Sequence, residues 1–124
     1  MQQLTQSLTQ NMAALDGMFG ASADYYAKEI TIYHCKGAII LFDGMASLES
    51  LWVLLLDAAS RRTPEAAPQD GRALFALLLH HSGLPAESKP VADFADLTMR
   101  LTAGMAVLLL DGCAEGIAFS VQGL

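Results

Sequence analysis

Two stretches of this chain limit its fold more than any others. One is "GAIILFDG", from Gly37 to Gly44, and the other is "GMAVLLLDG", from Gly104 to Gly112. Each is an unbroken apolar run that stops at Asp-Gly. A strand with one wet face alternates apolar and polar residues, whereas a strand apolar at every position must be covered on both faces. The two runs are therefore expected to be inner strands of a sheet sandwiched between helices. Asp-Gly suits the exit of such a strand, because Gly tolerates positive φ and Asp bonds its own turn backbone. On this reading Asp43, Gly44, Asp111 and Gly112 are turn positions first. They are also the candidate ligand positions, since ligands collect at the carboxyl ends of strands in open α/β sheets.

The rest of the chain supplies the cover. Leu4, Leu8, Met12, Leu15 and Phe19 recur at spacings of three and four and predict an N-terminal helix capped by Gly20. "EITIYHCK" alternates and predicts an outer strand that turns at Lys36-Gly37 into the first apolar run. "SLESLWVLLLDAAS" predicts a helix with Ser47 as N-cap. "RRTPEAAPQDG" reads as a surface loop. "RALFALLLHHSG" predicts a helix with Leu74, Leu77 and Leu78 inward and Gly83 as its stop. "LPAESKP" reads as a connector. "VADFADLTMRLTAG" predicts a helix with Phe94, Leu97 and Leu101 inward and Gly104 as its C-cap. "GIAFSVQG" alternates and predicts a second outer strand with one face less buried. The expected fold is α/β. Its four-stranded mixed sheet comes from two β-hairpins joined by a helical crossover, with the inner strands parallel and an N-terminal helix alongside. Residues 1–124 form one domain on this reading.

Composition narrows the partners. The chain is 53% hydrophobic and 16% charged, with a net charge of −6 and a pI near 4.7. An acidic surface repels phosphate backbones, so nucleic acid and anionic lipid are disfavoured. No apolar stretch reaches the roughly 18–20 residues of a spanning helix, and "MQQLTQSLTQNM" lacks the basic start of a signal peptide. A soluble chain in a reducing compartment is expected, with Cys35 and Cys113 as free buried thiols.

Chemistry-bearing motifs are scarce. Asp43 and Asp111, at the ends of adjacent parallel strands, could hold a metal or act as acid and base, but no third ligand is evident. His80-His81 diverge on a helix instead of converging at i, i+4. His34-Cys35 is a strand dipeptide whose side chains point apart, which rules it out as a nucleophile–base pair. Tyr25-Tyr26 fits a strand entry packed by aromatics. No GxSxG, GxxxxGK[ST] or GxGxxG occurs, and no cofactor or metal is implied.

Blocks in order across residues 11 to 123 carry a resemblance. "NMAALDGMFGASADYYAKEITIY", with Asn11, Phe19-Gly20, Ser22 and Asp24, resembles the opening of the cytoplasmic N-terminal domain of GerA-type spore germination proteins. "GAIILFDGMAS" resembles the next strand of that family. "LTAGMAVLLLDGCAEGIAFSVQG", with Gly104, Asp111-Gly112 and Gly123, resembles its later hairpin. The family implies the A subunit of a nutrient germinant receptor in the spore inner membrane, working with B and C subunits. The implied role is a non-catalytic interaction and signal-relay lobe facing the spore core, linked to the membrane only through a C-terminal part beyond this chain. The chain is then expected to be an excised first lobe, since the family continues into a second lobe and membrane spans. An excised lobe should expose an apolar patch or an open sheet edge, which predicts weak homo-oligomerisation.

Two other classes compete. An anti-sigma-factor-antagonist-like binding module would need a phosphorylated serine near a strand-to-helix turn, where Ser47 and Ser50 stand. An enzyme would use Asp43 and Asp111, although no substrate can be named for it.

Overall fold

The structure is a computed structural model, and it describes residues 2–32, 34–42, 70–80 and 88–120. Their elements are helix α1 (Leu8–Phe19), strands β1 (Tyr25–Ile32) and β2 (Cys35–Phe42), helix α2 (Gly71–His80), strand β3 (Ser88–Val91), helix α3 (Phe94–Thr102), and strands β4 (Met105–Leu110) and β5 (Gly116–Ser120). The five strands form one sheet in the order β1-β2-β4-β5-β3, and every neighbouring pair is antiparallel.

The two apolar runs are inner strands, as their two-sided apolar pattern requires. β2 and β4 lie side by side and every residue from Ala38 to Leu41 and from Ala106 to Leu110 is buried. On one face Ile39, Leu41, Leu108 and Leu110 pack with Leu74, Phe75 and Leu78 of α2. On the other, Ala38, Ile40, Val107 and Leu109 pack with Leu8 and Leu15 of α1 and with Phe94, Leu97 and Leu101 of α3. The inward face read for α3 holds, and that for α1 holds from Leu8 on, with Met12 and Phe19 half-buried; Leu4 is buried but precedes the helix, whose N-cap is Ser7. Asp93 caps α3 by accepting from the Asp96 N–H at 2.7 Å, and Gly104 ends that helix at φ 88°. The Leu77 side chain lies outside the described set, as do the helix expected from Ser47, residues 61–69 of the surface loop after it and the stop expected at Gly83; the loop's last residue, Gly71, is the first of α2.

The four-stranded mixed sheet with parallel inner strands is not what forms. β2 and β4 run in opposite directions, with Gly37 opposite Leu110 and Ile40 opposite Val107. The reason is a count of traversals. Ser88–Val91, at the end of the stretch read as a connector, is a fifth strand that pairs outside β5. α2 begins against the β4 exit, where Gly71 packs on the Asp111 carbonyl, and β3 begins at the other end of the sheet, opposite Phe119. α3 then brings the chain back to the start of β4. One additional strand in the crossover reverses the direction in which the chain enters β4. It also moves β5 inward, so Ile117, Ala118 and Phe119 are buried on both faces instead of lying at an edge.

Two turn readings change as well. The first hairpin turns between Ile32 and Cys35, which lie opposite each other, with His34 at φ 69°, so Lys36 and Gly37 belong to β2. Gly37 serves a different purpose, since a Cβ there would stand 2.9 Å from the Leu109 carbonyl oxygen of the neighbouring strand. Gly20 caps α1 in the right-handed region, and its N–H donates to the Asp16 carbonyl.

Candidate functional site

The Asp111-Gly112 step joins three parts of the chain. Gly112 takes φ 88°, the left-handed conformation that favours glycine. The Asp111 N–H donates to the Lys36 carbonyl at 2.9 Å, and the Gly112 N–H donates to the Gln6 carbonyl at 2.8 Å. Asp111 Oδ1 accepts from the Leu8 N–H at 3.0 Å. The first helical N–H groups have no partner within the helix, so this carboxylate caps α1 from a distant part of the sequence. Ser7 completes the cap by accepting from the Gln10 N–H at 3.2 Å.

Asp43 and Gly44 lie outside the described residues. The antiparallel ladder nevertheless corrects the expected pairing of strand ends. Lys36, at the start of β2, sits beside Asp111, and Phe42 lies about 20 Å further along the strand at its usual rise. The ends of β2 and β4 are at opposite edges of the sheet. Among the described residues, no three His, Cys, Asp or Glu side chains gather where a metal ion could be held.

Asn11 is the one buried polar side chain in the described core, at 1% exposure. Its Oδ1 accepts from the Thr5 N–H at 2.9 Å and the Thr5 hydroxyl at 3.1 Å, and its Nδ2 donates to the Thr5 carbonyl at 2.8 Å. All three bonds hold the arm that precedes α1. The same arm is tied to the β3–α3 connection, where Leu4 N–H donates to Ala92 and Phe94 N–H donates to Gln2. Residues 2–7 thus close one end of the sheet before α1 begins.

At the other end of α1, Phe19 packs on Phe42 edge to face, with centroids 5.3 Å apart, and on Tyr25 at 6.0 Å. The Tyr25 hydroxyl donates to Asp16 Oδ1 at 3.1 Å. Burial, with the Asp16 carboxylate adding to it, pushes the Tyr25 hydroxyl above the usual tyrosine range. Tyr26 packs on the opposite face. Phe19-Gly20 and Ser22 thus form the return from α1 to β1, with Ser22 N–H donating to Phe19 and Tyr25 N–H to Ser22.

A cleft of about 380 Å³ runs between α1, from Leu8 to Asp16, and a second wall of Glu29, Lys36 and Asp111. Cys35 and Cys113 are free and buried, and burial is the main cause that raises both thiols. His34 is exposed at the hairpin turn while Cys35 points into the core, so the two do not converge. The side chain of His80, and all of His81, Ser47 and Ser50, lie outside the described set.

These features define a class: an antiparallel five-stranded α/β lobe, helix-covered on both faces, whose distinctive polar contacts anchor an N-terminal arm and helix. Its fold is that of the N-terminal domain of the A subunit of the Bacillus megaterium spore germinant receptor GerK3. The two superpose with a TM-score of 0.69 over 98% of this chain, at 17% sequence identity. This chain spans about half of that structure's length, 49% of it. The expected likeness to germinant receptor A subunits therefore holds at the level of fold. No protein-family model matches the sequence, and no curated protein sequence matches it.

Proposed function

We propose that this chain is a non-catalytic interaction and signal-relay lobe of a spore germinant receptor A subunit, acting in nutrient-triggered germination. The observation that carries the reading is the fold likeness to the GerK3 A-subunit domain across 98% of the chain. The residues that carried the sequence resemblance support it. Asn11 holds the arm before α1, and Phe19-Gly20 and Asp111-Gly112 fix the two ends of α1, so all are spent on holding shape. In this role the lobe contacts the remainder of its own A subunit and the other receptor subunits at the core-facing side of the spore inner membrane. Among the described residues no helix is long and apolar enough to cross a membrane.

Spores lacking the gene for this chain provide the test. Dipicolinate release is followed after addition of nutrient mixtures. The proposal expects loss of the response to at least one mixture, restored by complementation, with unchanged dipicolinate content in dormant spores. An unaltered response to every mixture that triggers wild-type spores would overturn it.

A further inference from the structure

Among the described residues β1 is an edge strand of the sheet, hydrogen-bonded to β2 alone. The Tyr25 N–H donates to the Ser22 carbonyl at 3.3 Å, so it points away from β2. Alternate residues of an antiparallel strand turn their N–H and C=O groups to the same side. Ala27, Glu29 and Thr31 therefore direct theirs to the open side, and Glu29 and Thr31 are exposed. Tyr25 and Ala27 pack on the α1 face of the sheet, and Glu29 lines the cleft against α1 on that same face. The cleft walls carry three carboxylates, Asp16, Glu29 and Asp111, against one ammonium, Lys36.

The strand's own sequence disfavours a second copy as occupant. The two self-pairing registers of greatest overlap set Lys28 against Lys28 or Glu29 against Glu29, and like charges directly opposite destabilise a ladder. The other edge strand among the described residues, β3, carries Lys89 and Pro90, which blunt it for pairing. β1 is twice as long and has no proline.

We propose that β1 accepts an extended basic segment of a partner protein as an additional strand, its Lys or Arg side chains lying on the α1 side over Glu29 and the acidic cleft wall. Backbone pairing to Ala27, Glu29 and Thr31 supplies the attachment, and the alternate basic side chains supply the choice of partner. The surface stands independently of the germination reading.

The test uses the 124-residue chain and two blocked peptides, Val-Lys-Val-Lys-Val-Lys-Val and its Glu counterpart. Binding is followed by amide chemical shifts and hydrogen exchange. The basic peptide is expected to slow exchange at Ala27, Glu29 and Thr31, and the acidic peptide is not. Glu29→Lys should weaken the basic peptide about ten-fold, as expected when a cross-strand attraction becomes a repulsion. Ala27→Pro removes one outward N–H while sparing the ladder to β2, and should do the same. Protection elsewhere, equal binding of the acidic peptide, or unchanged affinity in Glu29→Lys would each overturn the proposal. So would concentration-dependent protection of these amides without peptide, which would mean that a second copy occupies the edge.

Discussion

Replacing Asn11 tests the anchoring of the N-terminal arm. The side chain is fully buried and makes three hydrogen bonds, all to Thr5. Asn11→Leu keeps the branched shape and the number of side-chain heavy atoms, with bulkier methyl ends, and leaves the Thr5 N–H and carbonyl without partners. The Thr5 hydroxyl retains the Ser7 carbonyl at 3.3 Å. Each orphaned group costs about 1–3 kcal/mol, and Thr5 is only half-buried, so the sum should fall near 2–3 kcal/mol. Asn11→Asp has a distinct signature. A carboxylate still accepts from Thr5 but faces its carbonyl, so burial and that oxygen raise the new group's folded pKa. Below the unfolded value of about 3.9, both states are protonated and the acid O–H can donate to Thr5. As pH rises through the raised folded value, that stability is lost. Urea unfolding followed by circular dichroism, with each variant compared with wild type from pH 3.5 to 7, measures both effects. The reasoning fails if Asn11→Leu stays within about 0.5 kcal/mol of wild type, below the cost of one orphaned group, or if the Asp variant's deficit is independent of pH.

Three further outcomes follow from the same contacts. Asp111→Ala should destabilise by about 1–2 kcal/mol and speed exchange of the Leu8 amide, whereas Asp111→Asn, which keeps an acceptor, should cost less than half as much. Gly71→Ala should cost more than about 2 kcal/mol in thermal or urea unfolding, because the added Cβ overlaps the Asp111 carbonyl, which is backbone and cannot swing aside. The thiols of Cys35 and Cys113 are raised by burial, so the unfolded chain ionises first. The thiols' contribution to stability should therefore be constant below about pH 8.5 and fall as pH rises beyond it, so the loss of stability above that pH should be less steep in the double Cys→Ala variant than in wild type.

Residues with local consequences were legible in the sequence, and those with distant partners were not. β2 and β4 announce two-sided burial because no polar residue interrupts Ala38–Leu41 or Ala106–Leu110. α3 is equally plain, with Asp93 as cap and Phe94, Leu97 and Leu101 on one stripe. β3 was hidden because four residues containing Lys89 and Pro90 do not alternate, and an edge strand needs no apolar pattern. That single omission reversed the predicted direction of β4. The hairpin turn was misplaced because His34, a non-glycine residue, takes the positive φ while Gly37 relieves a close strand contact. At the candidate site, the turn character of Asp111-Gly112 was readable from its type. The bond from Leu8 to Asp111 spans 103 positions and leaves no periodic or spacing signal. Asn11 entered only through a resemblance, and its reason, the bonds to Thr5, is visible only in the fold.

The functional reading rests on the sheet, so the most direct measurement is the pairing of the two apolar strands in solution. Nuclear Overhauser contacts between backbone protons of labelled protein should link Gly37 with Leu110, Ile39 with Leu108 and Ile40 with Val107, positions whose numbers rise in one strand as they fall in the other. A set in which the positions rise together along β2 and β4, or in which the two strands do not touch, would contradict the fold and with it the likeness to the germinant receptor domain.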